Sequence, residues 1–125
     1  MNRKDRTRAL IVMNDANEAH CLAKRLSSAA CAPTAAGSLS EAHAAFAHGA
    51  FDVALIEHPL HDDETKAVAL LCFAHGVRVI VAEQPDAPHA ELQDFLTFIG
   101  AETIARPLTV AGIAARLAVD GREAA

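Results

Sequence analysis

Residues 51–65, FDVALIEHPLHDDET, decide how the rest of the chain is read. Val53–Ile56 is apolar at every position, without the alternation of a half-solvated strand. Such a run is what a strand covered on both faces requires. The strand is expected over Phe51–Ile56; it stops at a carboxylate, Glu57, and the chain turns through Pro59. A helix is expected next over Glu64–Ala74, closed by Gly76. The segment is thus one β-α unit with an acidic side chain at the carboxyl end of its strand.

The same unit repeats on either side. Upstream, Ala9–Met13 reads as a strand ending at Asn14-Asp15, followed by Ala19, Leu22, Ala23 and Leu26 on one helical face. Asn14 or Asp15 can accept the free N–H groups of that helix. A weak strand is expected around Ala32–Ala36. Ser38-Leu39-Ser40-Glu41 matches a capping box that opens a helix to His48, and Gly49 closes it. Downstream come a strand over Val77–Ala82 and a helix with Pro88 in its first turn. That helix carries an apolar stripe of Leu92, Phe95, Leu96 and Ile99 before Gly100. A short strand over Glu102–Ala105 follows, and Thr109 caps a last helix bearing Val110, Ile113 and Leu117. This predicts one α/β domain over 1–125, a doubly wound parallel sheet with helices on both faces. Residues 1–7 are expected to form a flexible basic arm and 119–125 a short tail, too short for an output domain. Ligand sites in such sheets lie beyond the strands' carboxyl ends. That rule gathers Asn14, Asp15, Glu57, Ala82, Glu83 and Arg106 around one crevice.

Composition narrows the function. A chain of 125 residues is the size of one domain, and 52% hydrophobic content excludes a disordered one. No apolar run approaches the roughly 20 residues of a membrane span, and the basic start MNRKDRTR precedes too short an apolar stretch for a signal peptide. A cytoplasmic protein without a membrane partner is expected. The net charge of −5 argues against nucleic acid. Absent Trp and Tyr remove the usual stacking platforms. Cys21, Cys31 and Cys72 form no C-x-x-C pair and read as small buried apolar residues. No nucleophile elbow, P-loop or dinucleotide-binding turn is present, so an enzyme is not expected. His20, His43, His48, His75 and His89 fall at scattered positions expected to face solvent.

Three stretches, LIVMND, FDVALIEHPL and GAETIARPL, together resemble the receiver domains of bacterial two-component response regulators. The resemblance covers nearly the whole chain. It implies a CheY-like, flavodoxin-like sheet of order 2-1-3-4-5 and a place in phosphorelay signal transduction. It also implies partners such as a histidine kinase, a phosphotransfer protein or an output regulator. Typical receivers carry an acidic pair that holds Mg²⁺, a phospho-accepting Asp, a Thr or Ser on the fourth strand, an aromatic on the fifth, and a Lys before a Pro. This sequence departs at almost every position. Asn14-Asp15 keeps one carboxylate of the pair. Glu57 stands at the phospho-acceptor. The hydroxyl position falls on Ala82 or Glu83, the aromatic on Thr103 or Ile104, and Arg106 precedes Pro107. Glu is one methylene longer than Asp, a displacement of more than about 1 Å, which costs on the order of 100-fold in a reaction that depends on alignment. One carboxylate fewer also weakens Mg²⁺ at Asp15 and Glu57.

These departures imply a pseudo-receiver, not phosphorylated, that acts as a protein-interaction module and needs no cofactor beyond weakly held Mg²⁺. Glu57 would stand in for a phosphorylated residue and pair with the planar fork of Arg106; otherwise Glu57 is a solvated strand end. A weakly phosphorylated receiver and a small-molecule binder using the same crevice are the alternatives. His58, His61, Asp62, Asp63 and Glu64 bring metal-ligating types together, but their spacing matches no closed four-ligand site. Phe98, beside Glu91 and Asp94 and off the core stripe, is a candidate contact point for a partner or a homodimer.

Overall fold

The computed structural model describes residues 6–28, 30–61, 64–83, 90–105 and 109–118. Strands and helices alternate throughout: β1 (Thr7–Val12), α1 (Ala16–Leu26), β2 (Cys31–Ala36), α2 (Leu39–Ala47), β3 (Val53–Glu57), α3 (Thr65–Ala74), β4 (Arg78–Glu83), α4 (Ala90–Ile99), β5 (Glu102–Ala105) and α5 (Val110–Ala118). The sheet has order β2-β1-β3-β4-β5 with every neighbouring pair parallel. That is the order the resemblance implied.

Alternation along the central strands builds two cores. Leu10, Val12, Ala54, Ile56, Val79 and Val81 face the layer of α2, α3 and α4. Ala9, Ile11, Val53, Leu55, Ile80 and Ala82 face α1 and α5. Each face needs apolar residues, so the strands read as continuous apolar runs. The expected stripe on α4 is buried at Leu92, Leu96 and Ile99, with Phe95 half-buried at its flank.

Two helices end in one way. Val77 N donates to Cys72 O at 2.9 Å behind α3, and Ala101 N to Leu96 O at 2.8 Å behind α4. Gly76 (φ 74°) and Gly100 (φ 75°) make the left-handed turn that this closure requires. The capping box of α2 forms with a shifted partner. Ser38 Oγ accepts from Glu41 N at 3.1 Å, but the Glu41 carboxylate takes Gly37 N at 2.7 Å rather than Ser38 N.

Several expectations need correction. β1 begins at Thr7, so Thr7 belongs to the sheet rather than to the arm expected over 1–7, and the Arg6 side chain donates to Ser28 O at 3.1 Å. β3 starts two residues later and ends one later, at Val53–Glu57, because pairing starts opposite Ala9, and Glu57 is its last residue. Cys72 is buried, but Cys21 is exposed and Cys31 half-exposed, because Cys21 falls outside the Ala19–Ala23–Leu26 face of α1. Burial pushes the Cys72 thiol up to about 12.

Candidate functional site

β1 and β3 are neighbours in register, Val12 beside Ile56, so both chains leave the sheet side by side at its carboxyl edge. The next residue of β1 but one, Asn14, meets Glu57. Its backbone N–H donates to Glu57 Oε1 at 2.9 Å. Glu57 is only 9% exposed. It is no solvated strand end: a carboxylate at that depth requires polar partners, and the backbone of the β1–α1 loop supplies one.

The Asn14 side chain reaches across to the loop after β3. Its Nδ2 donates to Pro59 O at 2.8 Å, and its Oδ1 accepts from His61 N at 2.7 Å. One amide thus clamps the loop after β3 through both of its ends. A carboxylate accepts only and would have nothing to give Pro59 O, so the amide of Asn14 has a structural task here. Asp15 is the N-cap of α1, its Oδ1 accepting from Asn17 N at 2.8 Å and Glu18 N at 3.3 Å. Of the two caps open in the sequence, Asp15 is the one used.

His58 also turns inward, at 7% exposure. Its Nδ1 lies 2.8 Å from Thr65 Oγ1, which in turn accepts from Leu60 N at 3.2 Å. Its backbone N–H donates to Ala82 O at 2.9 Å and ties β3 to β4. Sequence reasoning placed His58 with loop ligands and missed Thr65; the only hint is a hydroxyl at the first position of a helix. Glu64, another of those ligands, accepts from Leu39 N at 3.0 Å, joining α3 to α2. Among the described residues no group of three His, Cys, Asp or Glu is placed to hold a metal. Asp62 and Asp63 lie outside them.

Mg²⁺ needs several oxygen donors in near-octahedral array. One oxygen each of Asp15 and Glu57 is taken by N–H groups, as is Asn14 Oδ1, and Ala82 brings no hydroxyl. Asp15 and Glu57 are the two carboxylates that this end of the sheet would offer a Mg²⁺ ion, which is commonly held by one or two carboxylates and water. The structure therefore brings Asn14, Glu57 and Ala82 together, with Ala82 the strand neighbour of Glu57. Glu83 pairs with Ala105 by its backbone, and its side chain lies outside the described set. Arg106 and Pro107 are outside the described residues as well, and with them the Glu57–Arg106 pair. Phe98 is 83% exposed and Asp94 is exposed, while the Glu91 side chain is not described.

No family model and no curated protein matches the chain. Solved structures do match. The CheY-like response regulator receiver domain protein from Methanospirillum hungatei is 20% identical, with TM-score 0.76 over 90% of each chain. The fold is that of a receiver domain. A two-component response regulator from Clostridium difficile agrees at 15% identity and TM-score 0.75, over 90% of this chain and 93% of that one. The response regulator protein TrrA from Thermotoga maritima, solved in complex with Mg²⁺–BeF, gives 16% identity and TM-score 0.68 over 89% and 96%. What these receiver structures share with this chain is the path of the backbone.

Proposed function

We propose that this chain is a receiver-type module of two-component signalling that works by docking to other signalling proteins and takes no phosphoryl group. One observation carries the reading: the Glu57 carboxylate is buried and bonded to the backbone of Asn14. In-line attack on phosphorus needs a nucleophile with a clear approach to the reacting atom, about 3–3.5 Å away. Glu57 instead reaches sideways, across the strand end, to its neighbour. The longer arm that misplaces it for attack is what lets it span from β3 to the β1–α1 loop.

Two further features support the reading. The loop after β3 is held at Pro59 and His61 by the two ends of the Asn14 amide, so its position is written into the sequence. Ala82, at the end of β4, has no hydroxyl with which to bind a phosphoryl oxygen. A histidine kinase, a phosphotransfer protein or an output regulator would then meet one surface at all times.

The test is incubation with acetyl phosphate and Mg²⁺, followed by intact-mass analysis, alongside titration with beryllofluoride and Mg²⁺ observed by amide NMR. Unchanged mass and unmoved Asp15 and Glu57 amides are expected. A stoichiometric, hydroxylamine-sensitive phosphoryl adduct, or saturable shifts at those amides, overturns the proposal in favour of a working receiver.

A further inference from the structure

α3 and α4 follow parallel strands and therefore run side by side in the same direction. The Lys66 ammonium lies over the Phe95 ring at 5.6 Å from its centroid, which identifies the facing flanks and sets their level. On α3, Lys66, Leu70 and Phe73 follow at i, i+4 and i+7, one stripe on that flank. On α4, Asp94, Phe95 and Phe98 lie along the matching stripe. Both stripes border the groove that two side-by-side helices leave along the α3–α4 seam. Its apolar members are the large hydrophobic side chains left open to solvent: Leu70 at 50%, Phe73 at 46% and Phe98 at 83%. No other large hydrophobics of the described residues are exposed, so the apolar surface is concentrated here.

The charges at this patch select its occupant. The Lys66–Phe95 contact levels Lys66 with Phe95 and its chain neighbour Asp94 across the seam, and four residues on along each helix Leu70 falls level with Phe98. A twofold axis along the groove lays α3 of one copy on α4 of another, parallel and in register. It brings Lys66 against Asp94 and Leu70 against Phe98, each pair twice. We propose that this α3–α4 flank is a self-association surface that takes a second copy of this chain. The contact is isologous, so it closes at two copies and leaves no free apolar end. The patch is small, and contacts under about 1,200 Å² are typically weak and transient. Self-association is therefore expected to be concentration-dependent. The proposal holds whether or not the Glu57 crevice accepts phosphate.

Sedimentation velocity from about 1 to 500 µM is expected to show a monomer–dimer equilibrium with Kd on the order of 10–100 µM. Phe98→Asp, at an exposed position that leaves the fold intact, is expected to weaken it by at least about tenfold. Lys66→Glu and Asp94→Lys should each weaken it about threefold, and the double variant should return to within about twofold of the parent. Thermal melts of each variant verify folding. A chain monomeric at every concentration overturns the proposal, as does a dimer indifferent to Phe98→Asp. Failure of the double swap to restore association rules out the α3-on-α4 arrangement.

Discussion

Asn14→Asp is a one-atom exchange that leaves the side chain unable to donate a hydrogen bond. Asn14 Nδ2 donates a hydrogen bond to Pro59 O, and a carboxylate there sets oxygen against oxygen beside the Glu57 carboxylate. The variant is expected to lose about 1–2 kcal/mol of stability, read as a fall of roughly 3–8 °C in melting temperature. Glu57→Gln keeps an oxygen for Asn14 N–H, whereas Glu57→Ala leaves that donor unanswered. Alanine should therefore cost about 1–3 kcal/mol and glutamine less than half as much, measured by urea denaturation. Equal losses in the two variants would show that the hydrogen bond is not what the side chain contributes. The position of Glu57 was legible in the sequence, because the apolar run names its own end. The function of Asn14 was not, since its partners Pro59 and His61 come from a loop far along the chain. Nor was the inward turn of His58. Consecutive residues of a strand point to opposite faces, and a sheet covered on both faces buries both.

The exposed edge of β2 is guarded by Pro33. Thr7 N donates to Ala30 O and Met13 N to Ala36 O, so the even-numbered residues of β2 turn their peptide groups toward β1. Pro33 is odd-numbered and falls on the outer edge, where a missing N–H costs no ladder bond and denies one to an incoming strand. Cys31, also outward, spends its N–H and C=O on Ser28. Pro33→Val restores a donor at the centre of that edge and should raise aggregation on gentle heating, measured by light scattering; unchanged scattering would mean that the edge is closed by other means. At the opposite edge of the sheet, Glu102 joins β5 to β4 and α5. It accepts from Arg78 Nε at 2.6 Å and from Arg116 at 3.0 Å. The Arg78 bond is the main cause that holds the Glu102 carboxyl below its ordinary value of 4.5, with Arg116 adding to it. A lowered pKa in the folded state means stability that is present above the unfolded value and lost as the pH falls through the folded one. Glu102 is 36% exposed, so screening limits the effect to about 0.5–1 kcal/mol. Glu102→Gln should remove that share of the acid dependence from melting curves taken below pH 4.5. The elements themselves were readable because capping residues and glycines mark their ends. Strand starts were misplaced by up to two residues, because pairing begins where a neighbour is available, and only the assembled sheet decides that.

At the scale of the whole molecule, continuous apolar strands between amphipathic helices settle the layers but leave the strand order open. The order β2-β1-β3-β4-β5 entered through the resemblance of three stretches, and the backbone matches known receivers at 15–20% identity. The α3–α4 patch was half legible: Phe98 stood off its stripe in the sequence, but Leu70 and Phe73 passed as ordinary members of an apolar helix. Its neighbours emerge only when two helices are laid side by side. A net charge of −5 also opposes the meeting of two copies, so added salt should strengthen dimerisation of the Lys66→Glu variant relative to the parent. The molecule has neither tryptophan nor tyrosine and is nearly dark in the near ultraviolet. Its three thiols, set at graded depths, offer another way to watch it come apart. Iodoacetamide should mark Cys21 on mixing and Cys31 more slowly. Cys72, buried with its thiol pushed to about 12, should be alkylated only when the core parts. The order in which mass accrues becomes a stratigraphy of unfolding, read from the outermost layer inward.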